Sequence, residues 1–289
     1  MHRPVRHGTG KAARECTAIL ILPFLLSGVA VVASSLIALA AKMAVVAAVV
    51  VVAARVAERT RPAFGALIAT LPLSLGPTYI LLALDHDAVF LQHAALNSVA
   101  SAATTVVFMV VMALMVVRTT MLPALAAAFV GWALAAWLVY ALPWTLGRAG
   151  LFAGLVLMVA HVILRPFGGY RPAGPPIRRW WDVPVRALMV AALVGAVTGL
   201  SSLLGPQGVG TLANFPIIMS SMSIIMAQRQ GPRASAAFLA NATLGMAGVT
   251  VALAVMVVVM VPLGVPVTLF VGLGVCLVWN ATLFVWTRR

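Results

Sequence analysis

The chain has 289 residues, of which 63% are hydrophobic and only 8% are charged. Soluble domains are about half apolar and about a quarter charged, so this chain could not cover its surface with polar groups in water. The composition excludes a cytosolic enzyme, a secreted domain and a nucleic-acid-binding protein, although the net charge is +14. A lipid bilayer is the solvent that the composition requires.

Apolar runs along the chain predict ten transmembrane helices. A bilayer crossing takes about 20 residues, and the gaps between the runs are too short for an extramembrane domain. We therefore predict an all-α, polytopic membrane protein. The predicted spans cover residues 17–38, 40–58, 63–84, 88–117, 121–142, 149–164, 185–204, 208–228, 234–261 and 265–287.

The basic residues predict the orientation of these spans. Lys and Arg gather in cytoplasmic loops, and with a cytoplasmic N-terminus 17 of the 19 lie on the cytoplasmic side, leaving Lys42 and Arg148 outside. We expect both termini in the cytoplasm, with these basic residues in contact with anionic lipids of the inner leaflet.

The N-terminal segment has two interpretations. It is either a retained first helix or a signal peptide that is cleaved after Ala33. We favour the retained helix because apolar sequence continues past Ala33 into the next span.

The sequence contains an internal repeat at an offset of 144 residues. Pro72 corresponds to Pro216 and Asn97 to Asn241, and the spans around them keep the same order. Each repeat has five spans, and an odd number inserts the second copy upside down, as in many secondary transporters. Chance similarity between two apolar stretches is the alternative. The predicted parts are a basic segment 1–16, a first repeat 17–142, a short span with a Pro/Gly/Arg-rich linker 143–184, and the rest of the second repeat 185–289.

Helix-breaking residues lie near the centre of the third and eighth spans. Pro72 and Pro77 interrupt the third span, and Pro216 interrupts the eighth. Proline removes an amide hydrogen and clashes with the preceding turn, and broken backbone survives in a bilayer only where protein buries it or a wet cavity borders it. The second half-helix of the eighth span is predicted to begin near Ser220–Ser223. We predict a substrate site at these breaks. Its residues are Thr70, Ser74, Gly76, Thr78, Asn97, Asn214, Ser220, Ser221, Ser223 and Asn241.

These polar residues also have a structural interpretation. The breaks are then kinks whose hydroxyl groups bond to their own helix. Asn97 and Asn241 either cap the freed backbone or join neighbouring helices, and the sequence leaves the two roles open.

Asp85, Asp87 and Arg229 lie at the ends of the broken spans and are candidate gate or coupling residues. A solvated turn is the alternative for the two acids. No His, Cys, Asp or Glu spacing fits a metal site, and we expect neither a metal nor another cofactor.

The segment Gly210–Pro216 of the eighth span (Gly-Thr-Leu-Ala-Asn-Phe-Pro), followed by Gly231, resembles the GlpM-type small membrane proteins, which carry a Gly-x-Leu…Phe-Pro stretch in their second helix. The stretch Gly65–Pro72 is similar, with Leu in place of Phe. The resemblance covers about one span in each half. It implies a bacterial inner-membrane protein connected with envelope polysaccharide production, with no defined substrate.

Two functions fit these features. The first is a secondary transporter or flippase that carries an anionic substrate or an envelope precursor by alternating access. The second is a membrane scaffold or accessory subunit of an envelope-assembly complex, which needs no cavity. An enzyme is disfavoured because no paired acids and no nucleophile with its base are present. The expected partners are the lipid bilayer and a small-molecule substrate, and no nucleic acid is expected. The sequence leaves open whether the protein forms a homodimer or binds a partner in an envelope complex.

Overall fold

The structure is a computed structural model that describes residues 75–170 and 181–286, together with Ile37, Ala40, Ala41 and seven positions between 43 and 52. The chain divides into the units 1–42 and 43–289. In the first unit the described residues are helical and exposed. The architecture below is that of the second unit.

The described part of the second unit is helical throughout, and no strand occurs in it. Its helices are α1 (Leu75–Leu82), α2 (Ala88–Val116), α3 (Met121–Ala141), α4 (Leu146–Gly168), α5 (Asp182–Gly199), α6 (Ser201–Ala213), α7 (Ile217–Gln230), α8 (Pro232–Leu263) and α9 (Val265–Trp286).

The prediction of a multi-pass membrane protein is confirmed in its coarse form. Six helical segments among the described residues are long and apolar enough to cross a membrane, when α6 and α7 are taken together as one interrupted segment. Helix α5 adds a shorter apolar helix, Ala187–Gly199. The predicted spans 17–38, 40–58 and most of 63–84 lie largely outside the described residues.

The long helices α2 and α8 form the centre of the bundle and run antiparallel. The side-chain amide of Gln92, near the start of α2, donates to the carbonyl of Val257, near the end of α8, across 2.8 Å. Helix α3 packs on α2, α9 packs on α8, and α4 packs on both central helices. Small residues at these contacts allow the close approach of helices that a bilayer interior favours.

Two buried apolar clusters follow each other along this central pair. The first joins residues 91–100 of α2 to residues 249–260 of α8, and the second joins residues 102–116 of α2 to residues 236–246 of α8. A third cluster joins α5 to Leu81 and Ile217. The outward faces of α3, α4 and α9 are apolar and exposed, as lipid-facing surfaces are.

The interruption predicted between residues 204 and 208 is present, because Gly205, with a φ of 61°, breaks the helix directly before Pro206. A further interruption lies at Leu200, between α5 and α6. Two other predicted boundaries were wrong. The span predicted at 149–164 is longer, because Thr145 caps α4 at its start by accepting from the backbone N–H of Arg148. The second half of the broken eighth span begins at Ile217, directly after Pro216, and not near Ser220–Ser223.

Candidate functional site

The predicted break in the eighth span is present between α6 and α7. It consists of Asn214, Phe215 and Pro216. Pro216 has no amide hydrogen for the carbonyl of Leu212, and the N–H of Phe215 donates to that carbonyl instead, at 2.9 Å. The helix therefore stops for three residues and restarts at Ile217, close to the mid-length of the Ser201–Gln230 segment.

The break frees the backbone carbonyl of Gly210, because the N–H of Asn214 donates to Thr211 at 3.3 Å. Three side-chain groups replace the lost donor. The hydroxyls of Ser98 and Ser101 reach the Gly210 oxygen at 3.1 and 2.8 Å, and the Asn214 amide reaches it at 3.1 Å. An unsatisfied carbonyl in hydrocarbon costs several kcal/mol, so helix α2 supplies the hydrogen bonds that make the break tolerable.

The same network also bonds the residues of the break directly to α2. The Asn214 side-chain amide donates to the Ser101 hydroxyl at 2.8 Å and lies 3.3 Å from the Ser98 carbonyl. The Thr105 hydroxyl donates to the Asn214 carbonyl at 2.6 Å. Tyr79 of α1 joins the network through its hydroxyl, which lies 2.8 Å from the hydroxyl oxygen of Ser98. Three segments of the chain therefore share one buried set of hydrogen bonds.

Gly210 permits this arrangement because it has no side chain. A Cβ atom built on Gly210 would lie 2.5 Å from the carbonyl oxygen of Ala94, 2.8 Å from the Cβ of Asn97 and 2.9 Å from the amide nitrogen of Ser98. The backbones of α6 and α2 therefore approach each other more closely than any larger residue would allow. This approach brings the Gly210 carbonyl within reach of the two serine hydroxyls.

Aromatic rings cover the break on the α3 side. The ring of Phe215 stacks on Phe129 with a centroid separation of 5.5 Å and meets Trp132 edge-on at 4.8 Å. Phe129 also contacts Phe108 of α2 at 5.1 Å. Aromatic pairs in such arrangements contribute about 0.5–1.5 kcal/mol beyond their burial, so the rings and the hydroxyl network fix the break from two sides.

The structure describes part of the other predicted break. Thr70, Pro72 and Ser74 lie outside the described residues. Pro77 lies in the first turn of α1, where a helix tolerates proline. Gly76 is half-buried, whereas Thr78 is buried. The predicted approach of the two breaks to each other stays a prediction.

The remaining predicted site residues divide by their hydrogen bonds. Ser220 and Ser221 donate to carbonyls three residues earlier in α7, at 2.9 and 3.1 Å. Ser223 is fully buried and its hydroxyl has no hydrogen-bond partner. Ser220 and Ser221 therefore make the bonds to their own helix that the structural interpretation predicts, whereas Ser223 does not.

Asn97 and Asn241 bond mainly to their own helices. Each side-chain amide donates to the carbonyl four residues earlier at 2.9 Å, that of His93 for Asn97 and that of Ala237 for Asn241. Asn97 is buried against Gly210, whereas Asn241 is exposed and lies 3.4 Å from the Gly168 carbonyl of α4. In this structure neither asparagine donates to the Asn214–Pro216 break.

The candidate gate residues lie at the ends of helices. Asp87 is exposed and caps α2, because its carboxylate accepts from the Phe90 amide at 2.9 Å. Asp85 is exposed, and Arg229 is half-buried in the last turn of α7. His86 lies between the two acids in the sequence, and its Nε2 forms a hydrogen bond of 2.7 Å with the hydroxyl of Ser201 at the start of α6.

The α2 side of the site was not predicted from the sequence. Ser98, Ser101 and Thr105 are spaced three and four residues apart, which places them on one face of a helix. This spacing within an Ala-rich span was the signal that could have identified them. The equivalent positions 144 residues later are Ala242, Gly245 and Val249, so this hydroxyl face belongs to one half of the chain.

Within residues 75–170 and 181–286 no three His, Cys, Asp or Glu side chains lie together in a metal-binding group. The groups that meet at the break are neutral hydrogen-bonding groups and aromatic rings. A comparison of the chain with protein-family models, with curated proteins and with solved structures gives no match. The resemblance to the GlpM-type proteins accordingly stays a prediction.

Proposed function

We propose that this protein is a secondary transporter or flippase-like carrier of the bacterial inner membrane, with its substrate site at the α6–α7 break between two repeat-related halves. The observation that carries the proposal is the Gly210 carbonyl, which is freed by the break and satisfied by hydroxyls of another helix. Transporter sites are commonly built from discontinuous helices near the membrane midplane.

The positions of the helices support the inverted repeat. Ala88 and Pro232 begin α2 and α8, and Met121 and Val265 begin α3 and α9, so both pairs of starts are 144 residues apart. The antiparallel direction of α2 and α8 is the direction that an inverted repeat requires. Carriers with this architecture move one half against the other around a central site.

The network at the break is suited to reversible change. The bonds between Asn214, Ser101 and Thr105 join neutral groups, and measured interhelical hydrogen bonds in membranes average about 0.6 kcal/mol. A substrate that carries oxygen acceptors can take over the donors of Asn214 and Ser101 when α6 and α7 separate from α2. Its binding free energy then shifts the population between the two arrangements.

A binding screen followed by an uptake assay tests this proposal. Purified protein is heated with small anions and with lipid-linked sugars, and compounds that raise the melting temperature are assayed for uptake into proteoliposomes. We expect at least one compound to be transported by the wild-type protein and by Ser220→Ala, and at least tenfold more slowly by Asn214→Ala. If stabilising compounds are found and none crosses the bilayer, the carrier proposal fails.

A scaffold function is the second candidate, and one observation favours it. The Gly210 and Asn214 carbonyls and the Asn214 side-chain amide at the break are all hydrogen-bonded within the protein. A static subunit would keep this packing in every state. Measuring whether α7 moves relative to α3 separates the two functions.

A further inference from the structure

Three buried polar groups in the described part of the chain have no hydrogen-bond partner. They are the indole N–H of Trp132, the hydroxyl of Ser223 and the hydroxyl of Ser235. Leaving a buried donor unsatisfied costs about 1–3 kcal/mol. Three such groups in one region of the protein therefore call for a physical reason.

The two serines differ from the other hydroxyl residues of their helices. In α7, Ser220 and Ser221 donate to their own backbone, and in α8 Thr243 and Thr250 do so at 2.6 and 2.9 Å. Such bonds are the ordinary way for a helix to satisfy a hydroxyl in an apolar environment. Ser223 and Ser235 are each 0% exposed and do not make them, so their hydroxyls are available to another partner.

The three groups lie at successive depths from one end of the bundle. The starts of α3 and α8 lie at this end, because Ala124 and Ala236 share the second apolar cluster with Val116 at the end of α2. The end of α7 lies there too, since only Gly231 separates α7 from α8. At 1.5 Å per residue, Ser235 lies about 5 Å from this end, Ser223 about 10 Å and Trp132 about 16 Å.

Trp132 connects this series to the break. Its ring contacts Phe215 at 4.8 Å, and Phe215 is one of the three residues between α6 and α7. The neighbours of the two serines, Met219 and Ala227 in α7 and Leu239 in α8, pack in the same second cluster as Trp132. The unpaired donors therefore follow one region from the α7–α8 turn to the break.

We propose that Ser235, Ser223 and Trp132 mark an access route, closed in this structure, along which water and a substrate with oxygen acceptors reach the break from the α7–α8 turn. The indole N–H can only donate, so the route favours hydrogen-bond acceptors over metal cations. The inference rests on the proposed carrier function and adds the side of entry and the substrate class.

Cysteine accessibility tests the route. Ser223→Cys and Ser235→Cys are introduced singly into a Cys16→Ser, Cys276→Ala background, and each replacement changes one atom. Right-side-out and inside-out vesicles are treated with a membrane-impermeant methanethiosulfonate. Arg233→Cys, exposed at the same end, identifies the vesicles that present this end to the reagent, and Val106→Cys, 0% exposed in the same cluster, is the buried control.

We expect both serine positions to react at least tenfold faster than position 106, only in the vesicles in which position 233 reacts, and position 235 to react faster than position 223. Rates equal to that of position 106, or equal rates from both faces, would overturn the route. If the two serine positions are not labelled and α7 is still found to move, the carrier function stands and the substrate enters elsewhere. Labelling without movement of α7 would indicate a fixed, water-filled entrance and would contradict the proposed carrier function.

Discussion

The side-chain amide of Asn214 donates to the hydroxyl of Ser101 across 2.8 Å, and Ser101 donates in turn to the Gly210 carbonyl across the same distance. Two residues that are 113 positions apart in the sequence thereby satisfy the backbone that the helix break exposes. The break is consequently a property of two packed helices and not of the Pro216 segment alone.

Replacing Ser101 by Ala should destabilise the protein. The change removes one donor from the Gly210 carbonyl and the acceptor of the Asn214 amide, and we expect a loss of about 1–2 kcal/mol in the free energy of unfolding. Ser220→Ala is the matched control, since Ser220 is also buried but bonds only within α7 at 2.9 Å, and it should change stability by less than about 0.5 kcal/mol.

Unfolding is measured in mixed micelles with increasing SDS for Ser101→Ala, for Asn214→Ala and for the double variant. The two losses should not add, because both residues belong to one network. Additive losses would show that Ser101 and Asn214 act independently and would contradict the shared network.

Gly210→Ala should disrupt the contact between α6 and α2. The new methyl group would lie 2.5 Å from the Ala94 carbonyl oxygen, and overpacking against backbone costs about 1–3 kcal/mol. Gly245→Ala in α8 is the matched control, because a Cβ there meets nothing within 4 Å. It should raise stability by about 0.5–1 kcal/mol through better helix propensity. Equal melting temperatures for the two variants would exclude the close approach.

The break could be predicted from the sequence, but its partner could not. Proline chemistry is local, so Pro216 predicted an interrupted helix wherever that helix packs. The choice of α2 as partner depends on the tertiary arrangement, and its only local signal was the spacing of Ser98, Ser101 and Thr105. Repeat symmetry predicted equal roles for Asn97 and Asn241, yet one is buried against Gly210 and the other exposed. The packing around these two positions therefore differs in a way that the offset of 144 residues does not predict.

Cysteine labelling in intact cells tests the predicted orientation. Asp87 precedes α2 and Gly169 follows α4, and both are exposed. Since three helices separate them, they lie at opposite ends of the bundle. In the cysteine-free background, an impermeant maleimide should label Asp87→Cys and not Gly169→Cys, because the distribution of basic residues predicts that residue 169 is cytoplasmic. Labelling of residue 169 alone would invert the topology, and equal labelling would refute the alternating crossings.

Thr105→Val should loosen the start of α7 with little change of shape. Valine keeps the volume of the side chain and removes the 2.6 Å bond to the Asn214 carbonyl. Thr104→Val is the neighbouring control, because Thr104 donates to the Ser101 carbonyl within its own helix at 2.7 Å. We expect hydrogen exchange of the Ile217 and Ile218 amides to accelerate about tenfold in the first variant and less than threefold in the second. The same acceleration in both would assign no special role to Thr105.

The proposed carrier function requires that α7, the segment after the break, move relative to the rest of the bundle. Spin labels at Gln228→Cys in α7 and Leu122→Cys in α3, both exposed at the same end, report this movement by electron–electron double resonance in nanodiscs. We expect two distance populations in the wild-type background, with the less populated one enriched by Ser101→Ala and unaffected by Ser220→Ala. A single narrow distance in the wild-type background and in both variants would exclude this movement and would leave the scaffold function.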